Sequence, residues 1–486
     1  MWNGQVGGRS RASRARRPAA AGPAGCPPAL ECLDPNPTNK ASRDVTSTGA
    51  PGPSPAGDPG AGASSGRRVR LHGWRHPAIL AVAAASVAAG FAQFGATTAL
   101  GDVARAFGET GEGTSTVARV GLSGTTLGVG LAIVRLASLA SLPLAALADG
   151  YGRRRLLLGC VTGGLAMTAL AALSPGYWWF VALFALGRPM LSATNAIAGV
   201  VAAEETDSRD RAKAIGLLTA GYGIGAGLTA LVRGVAGEGL GFRGLFALAL
   251  VPLAATPLLA RWLEEPDRYQ RLRAAQDPEL AATRPAVLGR VRADLRPRLW
   301  LLATLAFAIA FVTGPMNTFL FVYAENALGM ARSSTAAMVL AAGPVGLAGL
   351  LVGRWAADRL GRRVTAAGAQ AVVALAGMLT YSGSRTAVAA GYLLGILVAS
   401  AYAPSFGALG AELFPTSTRA TAAGWLVAAG VVGAVAGLVA FGLLTDALDS
   451  FATAAVLVCA PVVVASVLFA RLPETRGLEL EQSAPD

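Results

Sequence analysis

The chain states one polar pattern twice. Around Asp149 it reads LADGYGRRR, and about 55 residues later AEETDSRDRAKAIG. Around Asp358 it reads AADRLGRRV, and about 54 residues later AELFPTSTRATAAG. Asp149 and Asp358 are 209 positions apart, and Glu204 and Glu412 are 208 apart. Glu204, Arg211 and Gly216 keep the spacing of Glu412, Arg419 and Gly424. A signature repeated at such a period means two homologous halves of similar fold.

The segments between these signatures are apolar. Hydrophobic residues make up 53% of the 486-residue chain and charged residues only 14%, against about 25% charge in a soluble domain. Runs of about 20 apolar residues are long enough to cross a bilayer as helices. Twelve such spans are expected, near 78–100, 122–147, 156–173, 178–203, 213–235, 244–263, 299–324, 335–357, 364–382, 386–410, 421–443 and 451–470. Gly and Ala dominate them, and small residues let helices approach closely in lipid. The fold class is therefore an all-α membrane protein with two pseudo-symmetric six-helix halves. The halves fall at 75–263 and 299–471, joined by a central loop over 264–298.

The net charge of +13 raises nucleic-acid binding, but its placement excludes that partner. Arg153 to Arg155, Arg209 to Lys213, Arg261 to Arg298, Arg354 to Arg363 and Arg419 all fall in alternate loops. The intervening loops, such as Ser174 to Tyr177 and Thr445 to Ser450, are short and poor in Lys and Arg. Positive loops face the cytoplasm, so both termini are expected there, in a multi-pass protein of the cell membrane. Residues 1–74, rich in Gly, Pro, Ala, Ser and Arg, lack the apolar faces needed for a folded core. A short tail over 472–486 closes the chain. Cys26 and Cys32 have no neighbouring His or Cys to complete four metal ligands, and Cys160 and Cys459 lie inside spans. No metal, cofactor or enzymatic constellation is expected.

At the repeated residues the chain resembles the major facilitator superfamily. The signature of that family between spans 2 and 3 is matched here by Asp149, Gly152, Arg153 and Arg154, and its second copy by Asp358, Arg359, Gly361, Arg362 and Arg363. Ala145 and Arg354 stand where the first Gly of each copy would be. ELFPTSTRATAAG at 412–424 and PETRG at 473–477 resemble the sugar-porter and metabolite-symporter branch. The resemblance implies a transporter working by alternating access, one half rocking against the other. It also implies a small-molecule substrate, a monomer in the bilayer, and a proton as the usual coupling partner. The sugar symporters carry an Asp in span 1 after a Gly-aromatic pair; here Gly90 and Phe91 precede Ala92 and Gln93. Uniport and exchange therefore stand beside proton symport. By the same resemblance, Asp149 with Arg153 and Asp358 with Arg362 are gating pairs. Glu204 with Arg211, and Glu412 with Arg419, belong to that network.

A charge inside a span is expensive and defaults to function. Arg188 lies near the middle of span 4 and Arg135 near the middle of span 2, whereas no Asp or Glu lies deep in any span. A guanidinium fork suits carboxylate and phosphate oxygens, so the ligand is expected to bring the missing anion. Arg188 and Arg135 are candidate binding residues on that ground. Gln93, Asn195, Asn317 and Tyr402 join them as polar side chains on the spans that line the cavity in this superfamily. Export of amphipathic drugs is the competing transport reading, and a membrane sensor that kept the fold but lost transport is the competing reading of another class.

Overall fold

The computed structural model describes residues 73–108, 120–206, 210–266 and 293–476, with isolated positions 115 and 270. All but residues 73 and 74 of the expected tail at 1–74, most of the central loop and the end of the C-terminal tail lie outside these residues. What is described is almost wholly helical, 87% overall.

Twelve principal helices follow in order. The first half contains α1 (Pro77–Thr98), α2 (Gly124–Ala146), α3 (Arg153–Ala171), α4 (Tyr177–Glu205), α5 (Arg211–Ala236) and α6 (Gly241–Trp262). The second contains α7 (Arg296–Thr318), α8 (Arg332–Leu360), α9 (Arg362–Thr380), α10 (Arg385–Glu412), α11 (Thr416–Leu448) and α12 (Phe451–Arg471). Among the described residues, eleven helices are long and apolar enough to cross a bilayer. The remaining expected span is α3, whose three leading arginines and interior Gly and Thr dilute its apolarity.

Local chemistry sets several helix starts. Pro77 opens α1, where its missing N–H costs nothing, and the His76 ring accepts from the Ala78 N–H. Ser123 caps α2 by accepting from the Thr126 N–H at 3.1 Å. α3 and α9 each begin immediately after a glycine with positive φ, Gly152 at 102° and Gly361 at 103°. Such backbone is strained for any residue with a Cβ. These two glycines are 209 positions apart, so the repeat preserves a backbone bend as well as charges.

Packing repeats in the same way. In the first half α1 lies against α5 and α3 against α4; in the second, α7 lies against α11 and α9 against α10. The halves meet mainly through α2 with α11 and α5 with α8. Side chains are nearly absent where α1 crosses α5. A Cβ at Gly225 would collide with the Val87 carbonyl oxygen, and one at Gly433 with that of Phe307 where α7 crosses α11. Close helix approach through small residues substitutes for the hydrophobic drive that lipid removes. Gly225→Val should therefore lower the thermal midpoint of the purified protein, an overpacking penalty of about 1–3 kcal/mol. Gly223→Ala, two residues away and facing open space, should leave that midpoint in place.

Candidate functional site

Arg135 on α2 and Arg188 on α4 each lie eleven residues in from the helix end opposite the repeated motifs, about 16 Å down the helix axis. They are therefore at the same depth. Arg135 is close enough to act on Arg188 electrostatically, and the Tyr222 side chain on α5 interacts with Arg188. Tyr222 is also near enough to act on Arg135. No carboxylate lies within the interior of any of the twelve helices. Among the described residues neither guanidinium has an ion-pair partner. Two cations and a phenol thus converge at mid-depth with no protein counter-charge.

The crossing of α1 and α5 holds Tyr222 in place, because Gly90 of α1 abuts the Tyr222 backbone carbonyl. Towards the motif end, Tyr222 lines a cavity of about 340 Å³ with Ser86, Asn195 and Thr219. Of the expected residues, Arg188 and Arg135 are thus each within reach of Tyr222, and Asn195 shares the cavity that Tyr222 lines. The structure adds Tyr222, which the sequence pattern had not singled out within the glycine run AGYGIGAG. The other three candidates lie elsewhere. Gln93 is buried on α1 with its Nε2 unpartnered. Asn317 is exposed, donates to the Thr313 carbonyl of its own helix at 2.9 Å, and lines a separate cavity of about 40 Å³ in the second half. Tyr402 is turned into the core of that half, stacked on Phe406 with ring centroids 5.0 Å apart and set edge-on to Phe469.

At the motif end the charges pair differently from expectation. Arg153 bonds Glu204 at 3.1 Å, and Arg362 bonds Glu412 at 2.9 Å. Each pair joins two helices of one half and does not cross the seam. Arg419 does not pair with Glu412. It donates to the Ala411 and Phe414 carbonyls at 2.8 and 3.4 Å, satisfying acceptors left bare where α10 ends. Asp358 is exposed and without an ion pair among the described residues. The side chains of Asp149 and Arg211 lie outside the described set. Asp210, just before α5, accepts from Lys213 Nζ at 2.8 Å and from the Trp74 N–H at 3.4 Å. These donors, Lys213 foremost, hold its carboxyl below the ordinary value.

Two further carboxylates organise this end. Glu265 accepts the backbone N–H groups of Arg153 and Arg154, and Glu474 those of Arg362 and Arg363. Each carboxylate caps a helix start, where bare N–H groups and the helix dipole favour an anion. Arg154 and Arg363 reach back in turn to the carbonyls of Leu263 and Leu472, at 2.6 and 3.1 Å. Extending the repeat comparison would have found both acids, since Leu263-x-Glu265 and Leu472-x-Glu474 share the 209-residue offset.

The opposite end carries the bonds that cross between halves. Arg233 of α5 donates to both oxygens of Glu325 at 2.6 and 2.5 Å, and to Asp102 at 2.9 Å. Arg332 of α8 bonds the other Asp102 oxygen, and Thr335 donates to Glu325 at 2.7 Å. Asp102 sits on the short helix Leu100–Phe107 that extends α1, and Glu325 on a π-helical turn, Val322–Ala327, beyond α7. Two acids and two arginines from both halves therefore form one buried, charge-balanced cluster. Beside it, Asp446 of α11 accepts from the Gly124 and Thr125 N–H groups at 2.7 and 2.8 Å, capping α2 across the seam. Among the described residues, the side-chain hydrogen bonds between halves all lie at this end, which is the closed end of the structure.

Comparison with known proteins agrees with this architecture. A family profile described as Major Facilitator Superfamily matches residues 82–356, and one described as Sugar (and other) transporter matches 255–486. The chain is 25% identical over 306 residues to a cis,cis-muconate transport protein of Acinetobacter baylyi, covering 61% of this chain and 73% of that one. It is 28% identical over 303 residues to a 3-(3-hydroxy-phenyl)propionate transporter of Escherichia coli, covering 60% and 70%. Its fold matches the inward-open conformation of the xylose transporter XylE from E. coli with a TM-score of 0.64 at 16% identity, over 83% of this chain and 98% of that one.

Removing Arg233 leaves the buried Glu325 charged and without an ion pair, though Asp102 keeps Arg332; breaking a buried pair in this way costs about 3–5 kcal/mol. Arg233→Ala should therefore open the closed end. Spin labels at Val235 and Ser384, both exposed and in different halves, should report a longer and broader distance distribution than in the parent protein. Gly223→Ala should leave that distribution unchanged.

Proposed function

We propose that this chain, which belongs to the Major Facilitator Superfamily and is a multi-pass membrane transporter of a small organic solute, carries an organic anion held by Arg188 and Arg135. The observation that supports this reading is the convergence of two guanidiniums and the Tyr222 side chain at one depth, with no carboxylate inside any span. Placing one arginine at the centre of a membrane helix costs roughly 2.5–3.5 kcal/mol on insertion scales. A pair without a protein counter-charge is retained for something that compensates it. A ligand carboxylate does so, accepting two parallel N–H bonds from one guanidinium fork. The relatives named for muconate and for a phenylpropionate handle solutes that bear carboxylates. Export of cationic drugs fits poorly, because the same pair repels a cation.

In this reading the protein is multi-pass in the cell membrane, the motif end faces the cytoplasm, in keeping with the arginines at its loops, and both termini are cytoplasmic. The protein acts as a monomer. The described state is closed outside by the Arg233–Asp102–Glu325–Arg332 cluster, with the anion site approached from the cytoplasm past Asn195 and Thr219. The pairs Arg153–Glu204 and Arg362–Glu412 with their capping acids keep the inner end of each half rigid, so that the halves rock as bodies. Glu204 Oε2 and Glu412 Oε2, both buried without a hydrogen-bond partner here, are acceptors available when the inner end closes.

The test is thermal stability of the purified protein against a panel of sugars, organic acids, phosphate esters and cationic drugs. A ligand present at 100 times its Kd stabilises the folded state by about 2.7 kcal/mol. Stabilisation is expected from organic acids, lost in Arg188→Ala and weakened in Arg188→Lys, which keeps the charge but not the fork. Stabilisation by sugars that persists in Arg188→Ala would defeat the reading.

A further inference from the structure

We propose that the transporter is an obligate exchanger of organic anions, because the Arg135–Arg188 pair prevents the empty cavity from closing. This rests on the anion reading above. The two guanidiniums ride at the same depth on helices α2 and α4, which pack together, and lie within electrostatic reach of each other, while every Asp and Glu of α1–α12 stands at a helix end. The two histidines of the chain, His72 and His76, precede α1 or cap it. Arg233, in the last turn of α5 at the closed end, is compensated by Asp102 and Glu325. Tyr222, whose phenol interacts with Arg188, is the titratable group beside the pair; no carboxylate or imidazole inside the spans can cancel the charge of the pair by releasing or taking up a proton.

The consequence follows from how a carrier returns. While the cavity is open to one side, water and mobile anions solvate both guanidiniums. To reach the opposite-facing state the protein must pass through a form closed at both ends, where that solvation is lost and bare charge is most costly. A dicarboxylate cancels both positive charges, and the loaded carrier can cross. The empty carrier crosses with two uncompensated charges and is held back. A proton symporter avoids this block by titrating a cavity acid on the return step, and this chain has no such acid. Each inward passage therefore requires an outward passage with an anion aboard.

The experiment uses the full chain reconstituted in liposomes, with radiolabelled cis,cis-muconate outside and either unlabelled muconate or plain buffer inside. Thermal stabilisation by muconate is measured on the same preparation. Initial uptake is expected to be roughly tenfold or more faster into loaded vesicles, since a population shift of that size is enough to make exchange dominate. An inward proton gradient should not speed uptake into empty vesicles. Arg135→Gln, which halves the uncompensated charge, should bring the loaded-to-empty ratio towards one even where its total flux is lower. Equal uptake into loaded and empty vesicles, or acceleration by a proton gradient, would overturn exchange while stabilisation by muconate leaves the anion reading standing. Absence of both stabilisation and flux with muconate, with sugars stabilising instead, would remove the anion reading and exchange with it.

Discussion

The buried cluster of Arg233, Asp102, Glu325 and Arg332 is the interaction on which the described state depends. Lipid gives helices no hydrophobic reason to associate, so packing and polar bonds must hold the two halves together. Here the side-chain hydrogen bonds across the seam are gathered at one end. The other end is polar too, but its bonds stay within each half. That asymmetry makes the seam a hinge. Breaking one cluster frees one end, while the six-helix bodies on either side keep their shape.

Charge is arranged in three layers, and each is treated differently. At the closed end two acids balance two arginines, and the cluster is buried at little net charge. At the motif end Arg153 and Arg362 each have an acid in their own half, and a second acid caps the helix on which each rides. At mid-depth the balance fails, with Arg135 and Arg188 within electrostatic reach of each other and no acid. An unbalanced layer between two balanced ones is what a ligand-neutralised site requires. Tyr222 is held beside the pair by the glycine-lined crossing of α1 and α5, and a cavity lies on its motif-end side.

Much of this was legible in the chain. The repeat offset, the span lengths and the two mid-span arginines follow from periodicity and from the cost of charge in lipid, both local properties of sequence. Glu265 and Glu474 were equally legible at the repeat offset but carry their function through backbone N–H groups, which leave no partner residue to look for. The partner choice of Glu412 was not legible. Arg419 is nearer in sequence, yet the antiparallel packing of α9 and α10 puts Arg362 beside the acid, and the bare carbonyls at the end of α10 claim Arg419. Likewise Asp102 and Glu325 stand out only as acids at helix ends. Their bond to Arg233 joins residues 131 and 92 positions away, a distance at which no local pattern records a contact.

Tyr402 shows the limit of reading a site from span number alone. It lies on α10, a helix expected to line the cavity, but a helix has more than one face and its hydrophobic neighbours decide which one turns inward. Phe406 is one turn away on the same helix, and Phe469 comes from α12; together they draw the tyrosine ring into the half rather than towards the seam. Arg188 and Arg135 have no such choice. Neither a packed core nor lipid favours an unpaired guanidinium, and that cost is the ground on which the two are proposed to face a ligand. Position along a helix proposes many candidates, and the cost of burying a charge is what separates these two from the rest.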